Sequence, residues 1–269
     1  MNTTPYRIGI VGCAGRMGRM LIQEVLATPG CALAGGTEPA GPTIGTDLGV
    51  LVGAASVGLK VTSDAASLFQ AADAVIDFTV PAATLYHASL AAKTGKVFIA
   101  GTTGLDAAAV DSLRKASASA PIVYAPNFSV GMNMLFMLTE KLAAKLGADY
   151  DIDILEMHHR HKVDAPSGTA LGLGEAAARG RKVNLSDVWR KSRDGQVGAR
   201  PRGEIGFATL RGGDVAGDHT VMFAAEGERI ELTHRATSRV NFAKGAVRAA
   251  LWARGRGPGF YSMRDVLGL

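Results

Sequence analysis

The chain has 269 residues, 47% hydrophobic and 20% charged, with a formal net charge of +5 and 34 glycines. That length allows two modest domains, each with its own core, and so mild a basic excess suits acidic metabolites and pyrophosphates without arguing for nucleic acid. Cys13 and Cys31 are the only cysteines and form no CxxC pair, the N-terminus lacks a secretory pattern, and no apolar stretch reaches the ~18 residues of a membrane span, so a cytoplasmic protein with no membrane partner is expected.

Tyr6-Arg7-Ile8-Gly9-Ile10-Val11 is a short apolar run, followed at once by Gly12-Cys13-Ala14-Gly15-Arg16-Met17-Gly18. Met20, Leu21, Val25 and Leu26 then carry a helical pattern to Pro29-Gly30. Strand, glycine turn and helix in that order match the first unit of a dinucleotide-binding fold. The glycines let the backbone close on a pyrophosphate, and the helix start offers N–H groups to its charge. The spacing is G-x-x-G-x-x-G, with Ala14 where the commoner motif has its second glycine, and such turns also occur without ligands. A second apolar run, 31–34, leads into Gly35-Gly36-Thr37-Glu38 and places a carboxylate 20 positions beyond Gly18, where the ribose hydroxyls are read. Pro39, Ala40, Gly41 and Pro42 follow it, so a 2′-phosphate would meet a carboxylate with no cation beside it. That favours NADH over NADPH.

The glycine-rich segment 43–58 reads as a loop over the cofactor side. Buried strands are expected at 74–79, 96–100 and 121–124, alternating with helices at 81–94 and 106–118. Repeated units of this kind imply a doubly wound parallel sheet of Rossmann type. Ligands in such sheets lie beyond the carboxyl ends of the strands, so Phe78-Thr79, Gly101-Thr102-Thr103 and Ala125-Pro126-Asn127-Phe128 should face one crevice.

After Phe128 the pattern changes. A helix over 130–146 carries methionines that suit a core. The alternation at 150–157 predicts a half-buried strand, and Pro166 with Ser167 predicts the N-cap of a helix over 169–179. Between them lies Glu156-Met157-His158-His159-Arg160-His161-Lys162-Val163-Asp164-Ala165. The basic segment 179–202, through Arg179, Arg181, Lys182, Arg190, Lys191 and Arg193, reads as an exposed connection. Strands at 205–210, 219–224 and 229–234, joined by Gly212-Gly213-Asp214 and Glu226-Gly227-Glu228, suggest an antiparallel meander. The second half is therefore expected to be an α+β domain on an open mixed four-strand sheet, whose apolar face invites association of subunits. An amphipathic helix at 241–254 would return the chain to the first domain, giving a dinucleotide-binding domain over 1–128 completed by 241–269, and a second domain over 129–240.

The stretch from Glu156 to Thr169 is a strand end, a cationic corner and a helix start. Its three imidazoles, arginine and lysine draw acidic ligands, and the N–H groups at the helix start favour an anion. A solvated basic loop is the plain alternative, but solubility gives no reason for three imidazoles followed by a Ser-Gly-Thr turn. Cations and N–H donors together suit a ligand carrying carboxylates, and a histidine or lysine among cations suits proton exchange.

Read with the glycine turn, Gly101-Thr102-Thr103-Gly104 and Ala125-Pro126-Asn127-Phe128-Ser129-Val130-Gly131, this motif closely resembles the 4-hydroxy-tetrahydrodipicolinate reductase (dihydrodipicolinate reductase) family of bacterial lysine and diaminopimelate biosynthesis. The resemblance covers almost the whole chain, including 205–209 and 263–267. It implies hydride transfer from NADH or NADPH to a small cyclic dicarboxylate with loss of water, and a homotetramer assembled through the C-terminal substrate-binding domain. By position, His158 would be the acid/base and Lys162 the proton donor, while His159 with Ser167, Gly168 and Thr169 would hold the substrate carboxylates. Cofactor contacts would be Gly12, Cys13, Ala14, Gly15, Arg16, Met17, Glu38, Gly101, Thr102, Thr103, Ala125, Pro126, Asn127 and Phe128. Pro39 departs from members that carry an arginine there for the 2′-phosphate.

Two other readings compete. A metal hydrolase would use His158, His159 and His161, although neighbouring strand residues point to opposite faces and no metal is expected. A nucleotide-sensing protein would keep the first domain and need no proton donors in the second.

Overall fold

Strands covered on both faces read as continuous apolar runs, and the fully buried Ile8, Ile10, Val75, Ile76, Phe98, Ile99, Ile122 and Val123 stand at the centre of a parallel sheet. A computed structural model describes residues 4–269. The chain divides into two compact units, one formed by the residues up to Val130 with Arg239–Leu269, the other by Gly131–Ser238.

In the first unit β1 (Tyr6–Val11) leads through the glycine turn into α1 (Arg16–Ala27) and β2 (Cys31–Thr37). The segment read as a loop holds a single helical turn, α2 (Leu48–Leu51), and β3 (Val61–Thr62) and α3 (Ala65–Ala71) follow. Asp47 organises that segment, accepting hydrogen bonds from the N–H groups of Gly49, Val57 and Gly58 and from the Ser56 hydroxyl. Next come β4 (Ala74–Asp77), α4 (Pro81–Thr94), β5 (Val97–Ala100), α5 (Ala107–Ala116) and β6 (Pro121–Tyr124).

In the second unit α6 (Val130–Leu146), β7 (Asp151–His158), α7 (Gly168–Arg181), α8 (Leu185–Val188), β8 (Trp189–Arg190), β9 (Ile205–Arg211), β10 (Gly217–Ala225) and β11 (Glu228–Ala236) follow in order. The chain then returns to the first unit with α9 (Val240–Ala253), β12 (Gly259–Tyr261) and α10 (Met263–Leu267). Among the described residues the first unit holds a seven-stranded sheet ordered β12-β6-β5-β4-β1-β2-β3, in which every pair is parallel. Gly245 lets α9 press on the segment that follows β6, for a Cβ there would lie 1.8 Å from the Phe128 carbonyl oxygen.

The second sheet is mixed, as expected, and gains a fifth strand from β8, in the order β11-β10-β7-β9-β8. The expected meander is not what forms. β9 pairs parallel with β7, and β10 joins the opposite side of β7 before turning antiparallel into β11. The alternation along β7 buries Ile152, Ile154, Glu156 and His158 and leaves Asp151, Asp153, Leu155 and Met157 on the other face. The buried face packs with Met132 and Leu135 of α6 and with Leu173 and Ala177 of α7. Met134, by contrast, faces outward at 37% exposure.

The basic segment is only partly a solvated connection. Arg193 reaches Asp153 and Glu204, Arg190 reaches Glu204, and Arg200 pairs with Asp151 and Asp153, so these cations are neutralised against the strands they cross.

Candidate active site

Gly12 ends β1 in a left-handed conformation, φ 69°, and a Cβ there would stand 2.6 Å from Thr79 Cγ2. Gly18 is required for a different reason: a Cβ on it would lie 2.1 Å from the Gly12 carbonyl oxygen, so only glycine lets α1 pack against the turn. The other end of the turn is open. Gly15 caps α1 without a side-chain hydrogen bond and the first turn has no acidic residue, which presents backbone N–H groups to an anion. Just past β2, Glu38 accepts a hydrogen bond from the Ala14 N–H at 2.5 Å, which holds the carboxylate beside the turn. Gly12, Ala14, Gly15, Glu38, Pro39 and Thr79 belong to the wall of a cleft of about 720 Å³. None of the described residues lining it is lysine or arginine.

A buried carboxylate ties the neighbouring strand ends together. Asp77 closes β4 and accepts from the Thr79 N–H at 2.7 Å, the Thr79 hydroxyl at 2.6 Å and the Thr102 hydroxyl at 3.2 Å, with His87 Nδ1 at 2.8 Å. The Phe78 and Phe128 rings meet with centroids 5.6 Å apart. The structure thus gathers the ends of β4, β5 and β6, as the strand order requires. Within the expected cofactor set the side chains divide. Glu38 faces the cleft, Thr102 turns into the Asp77 network, Thr103 and Pro126 are exposed, and Asn127 accepts from the Ser129 N–H at 2.9 Å. Arg16 is exposed at the helix start, Met17 packs on the core, and Cys13 is buried with its thiol pushed up to about 12 by burial and then by Glu38, so it can meet a ligand only through its backbone.

The second constellation lies at the carboxyl end of β7. A period of two puts Glu156 and His158 on one face, and His158 Nδ1 lies 2.5 Å from Glu156 Oε2. Arg211, at the end of β9, donates to both oxygens of the same carboxylate, at 2.9 and 3.0 Å. The Ser167 N–H donates to Oε1 at 3.0 Å and the Thr209 hydroxyl at 3.3 Å. Burial by itself would raise Glu156, but the bonds from His158, Arg211 and Ser167 outweigh it and hold the carboxyl down at about 2. The group is an anion in a fixed geometry.

Ser167 caps α7 as expected, its Oγ accepting from the Ala170 N–H at 3.1 Å. That leaves the hydroxyl proton for His219 Nε2, 3.2 Å away on β10. Burial, and next the neighbouring His158, drives His219 down to about 3, so it is neutral and able to accept. A Cβ on Gly168 would meet nothing within 4 Å, so the first turn of α7 is open, and it carries no acidic residue. Lys162 Nζ is 2.8 Å from Asp164 Oδ1, at the surface of the loop that separates β7 from α7. The His159 N–H donates to the Val215 carbonyl at 2.8 Å, which fixes the backbone just beyond His158.

The structure therefore brings His158, Ser167, Gly168 and Thr169 around one strand end and one helix start, with Lys162 in the intervening loop. The three histidines do not converge as ligands: His158 is turned to Glu156, while the His159 and His161 rings lie 6.2 Å apart. Among the described residues no three His, Cys, Asp or Glu side chains are grouped to hold a metal ion. Glu156, Arg211, His219 and Asp77 were not assigned roles from sequence. The alternation of β7 is the available signal for Glu156, which precedes His158 by two positions, and Asp77 is a charged residue inside the apolar strand expected over 74–79, which the structure ends at Asp77.

Parallel sheet, open glycine turn and the Glu38 carboxylate beside it, followed by a mixed sheet that presents an imidazole–carboxylate pair beside a helix start, are the frame of a nucleotide-binding oxidoreductase. Residues 6–128 match the family model described as dihydrodipicolinate reductase, N-terminus, and residues 131–267 match its C-terminus. The chain belongs to the dihydrodipicolinate reductase family. It is 56% identical to the 4-hydroxy-tetrahydrodipicolinate reductase of Dinoroseobacter shibae over 97% of its own length and 98% of that protein. It is also 54% identical to the protein of the same name from Rhizobium meliloti over the full length of both. Among solved structures, a dipicolinate-bound dihydrodipicolinate reductase from Paenisporosarcina superposes with a TM-score of 0.75 at 23% identity, covering 96% of this chain and 97% of the other. GenD2 of gentamicin A biosynthesis, in complex with NAD, shares the fold at a TM-score of 0.62 and 14% identity, with coverage of 96% and 90%.

Proposed function

We propose that the protein reduces 4-hydroxy-tetrahydrodipicolinate to tetrahydrodipicolinate with NADH or NADPH, with loss of water, in bacterial lysine and diaminopimelate biosynthesis in the cytoplasm. The observation that carries this reading is the anchored His158–Glu156–Arg211 group beside the open start of α7, because it joins a proton-exchanging imidazole to a site for carboxylates. Residues 1–128, completed by 241–269, bind the dinucleotide, and 129–240 bind the substrate and join subunits.

The first unit fits a dinucleotide on its own geometry, through the uncapped start of α1 for the pyrophosphate and Glu38 for the ribose hydroxyls. When bound, the nicotinamide supplies the hydride. Gly12 to Met17 hold the pyrophosphate, and Gly101 to Thr103 and Ala125 to Phe128 line the nicotinamide end. NADH is the preferred form, since among the described residues the cleft wall beside Glu38 offers a 2′-phosphate a carboxylate and no lysine or arginine.

His159, Ser167, Gly168 and Thr169 hold the substrate carboxylates against the N–H groups of α7. His158 is the acid/base and Lys162 the proton donor for the ring nitrogen after hydride reaches carbon. To serve in that way Lys162 exchanges Asp164, its present partner, for the substrate.

The outer face of the second sheet carries Leu155, Met157, Leu210 and Met222, with Leu210 50% exposed, and is read as the surface through which four copies assemble. Initial rates with NADH and NADPH, using substrate formed in place from pyruvate and aspartate semialdehyde, test the reading. Oxidation of both, faster with NADH at limiting cofactor, is expected. Failure to oxidise either contradicts the assignment, and a preference for NADPH contradicts the account of Glu38 and Pro39.

A further inference from the structure

The roles given to His158 and to the start of α7 leave Glu156, Arg211 and Gly217 unexplained. We infer that Glu156, gripped by Arg211, is a positioning residue that decides which nitrogen of His158 exchanges protons and ties that nitrogen to the carboxylate-binding end of α7. This rests on the proposed acid/base role of His158.

The argument begins with donors. Both terminal guanidinium nitrogens of Arg211, the Ser167 N–H and the Thr209 hydroxyl all point into one carboxylate that is 1% exposed. An ionised carboxylate only accepts, so the contact of 2.5 Å to His158 Nδ1 requires the proton to sit on Nδ1. In the neutral ring the exchangeable position is then Nε2.

The space around Nε2 agrees. Gly217 opens β10 with φ 155°, and a Cβ on it would lie 3.0 Å from His158 Nε2. The absent side chain leaves that nitrogen uncovered on the side of the strand end. The His219 ring stands edge-on at 5.0 Å, occupied by the Ser167 hydroxyl through its own Nε2, and does not compete for the proton.

Oxygen Oε1 of Glu156 also takes the Ser167 N–H, and Ser167 is the N-cap of α7. One carboxylate therefore sets the tautomer of the acid/base with one oxygen and the placement of the substrate-binding helix start with the other. The distance between proton exchange and carboxylate binding is defined by a single rigid group.

Glu156→Gln separates these two functions. The amide oxygen in place of Oε1 still accepts from the Ser167 N–H and from Arg211 Nη2, whereas the amide NH2 in place of Oε2 gives up the bond from Arg211 Nη1, donates toward Nδ1 and forces the His158 proton onto Nε2. kcat should fall roughly 10²-fold or more while the KM for substrate changes less than about threefold. Imidazole nitrogen NMR of the neutral ring should show the Nδ1–H tautomer of His158 in the parent protein and Nε2–H in the variant. An Nε2–H tautomer in the parent overturns the inference whether or not the variant folds. His158→Gln distinguishes the layers: full activity in it defeats the acid/base role, and the tautomer spectrum then still decides the positioning. If His158→Gln is impaired while Glu156→Gln keeps parental kcat and the Nδ1–H tautomer, the inference fails alone.

Discussion

Arg211→Met removes a guanidinium from a carboxylate that water cannot reach, since Glu156 is 1% exposed. Glu156 is held at about 2 against the usual 4.5, a displacement produced in spite of its burial by bonds from His158, Arg211 and Ser167. At about 1.4 kcal/mol per pH unit, that displacement corresponds to roughly 3 kcal/mol of stability. Breaking a buried ion pair by deleting one partner costs about 3–5 kcal/mol, and the bonds retained from His158 and Ser167 place Arg211→Met near the lower end. The substitution also frees the Asp164 carbonyl, which Arg211 holds at 2.6 Å. For a chain of this size a loss of about 3 kcal/mol lowers Tm by roughly 6–12 °C. The folded value lies below the unfolded one, so the contribution is complete above about pH 4.5 and is lost as pH falls toward about 2. Calorimetric melting at fixed protein concentration near about pH 7, repeated in acid, reads both parts. A variant within about 0.5 kcal/mol of the parent at neutral pH, or a difference that grows as the solution is acidified, refutes the reasoning.

His158→Gln and Lys162→Ala should each lower kcat by roughly 10²-fold or more with smaller changes in KM, and full turnover in both removes their assigned roles. Pro39→Arg supplies the missing cation beside Glu38 and should raise kcat/KM for NADPH relative to NADH by about tenfold; an unchanged ratio shows that the 2′-phosphate lies elsewhere. Leu210→Asp places a charge on the outer face of the second sheet and should shift light-scattering mass from tetramer toward smaller species. Equal mass for parent and variant, with the parent already monomeric, contradicts association through that face.

The parallel sheet was legible because buried strands and glycine turns leave short, strong patterns, and β7 was legible because its alternation places Ile152, Ile154 and His158 on one side. The helix α3 was missed: its seven residues carry few large apolar side chains, and its start is set by the Asp64 cap bonding to Ser67. The turn residues after β9 showed that the chain reverses, but turn chemistry does not state which edge a strand joins, so β10 was placed beside β9 when it pairs with β7. At the site, His158 and the Ser167 cap were readable from local order. Glu156 was not, because its meaning comes from Arg211, 55 residues away, and from Ser167, 11 residues away, and such contacts exist only after the sheet has formed.

The central claim is that reducing equivalents held by the first domain end on a carbon held by the second. Turnover of the cyclic dicarboxylate with nicotinamide deuterated at the transferring position, followed by mass spectrometry of the product ring, measures this directly. The account predicts one deuterium in the product for each cofactor oxidised. Cofactor that binds the protein and is never oxidised in the presence of this substrate, or product that carries no deuterium, contradicts it.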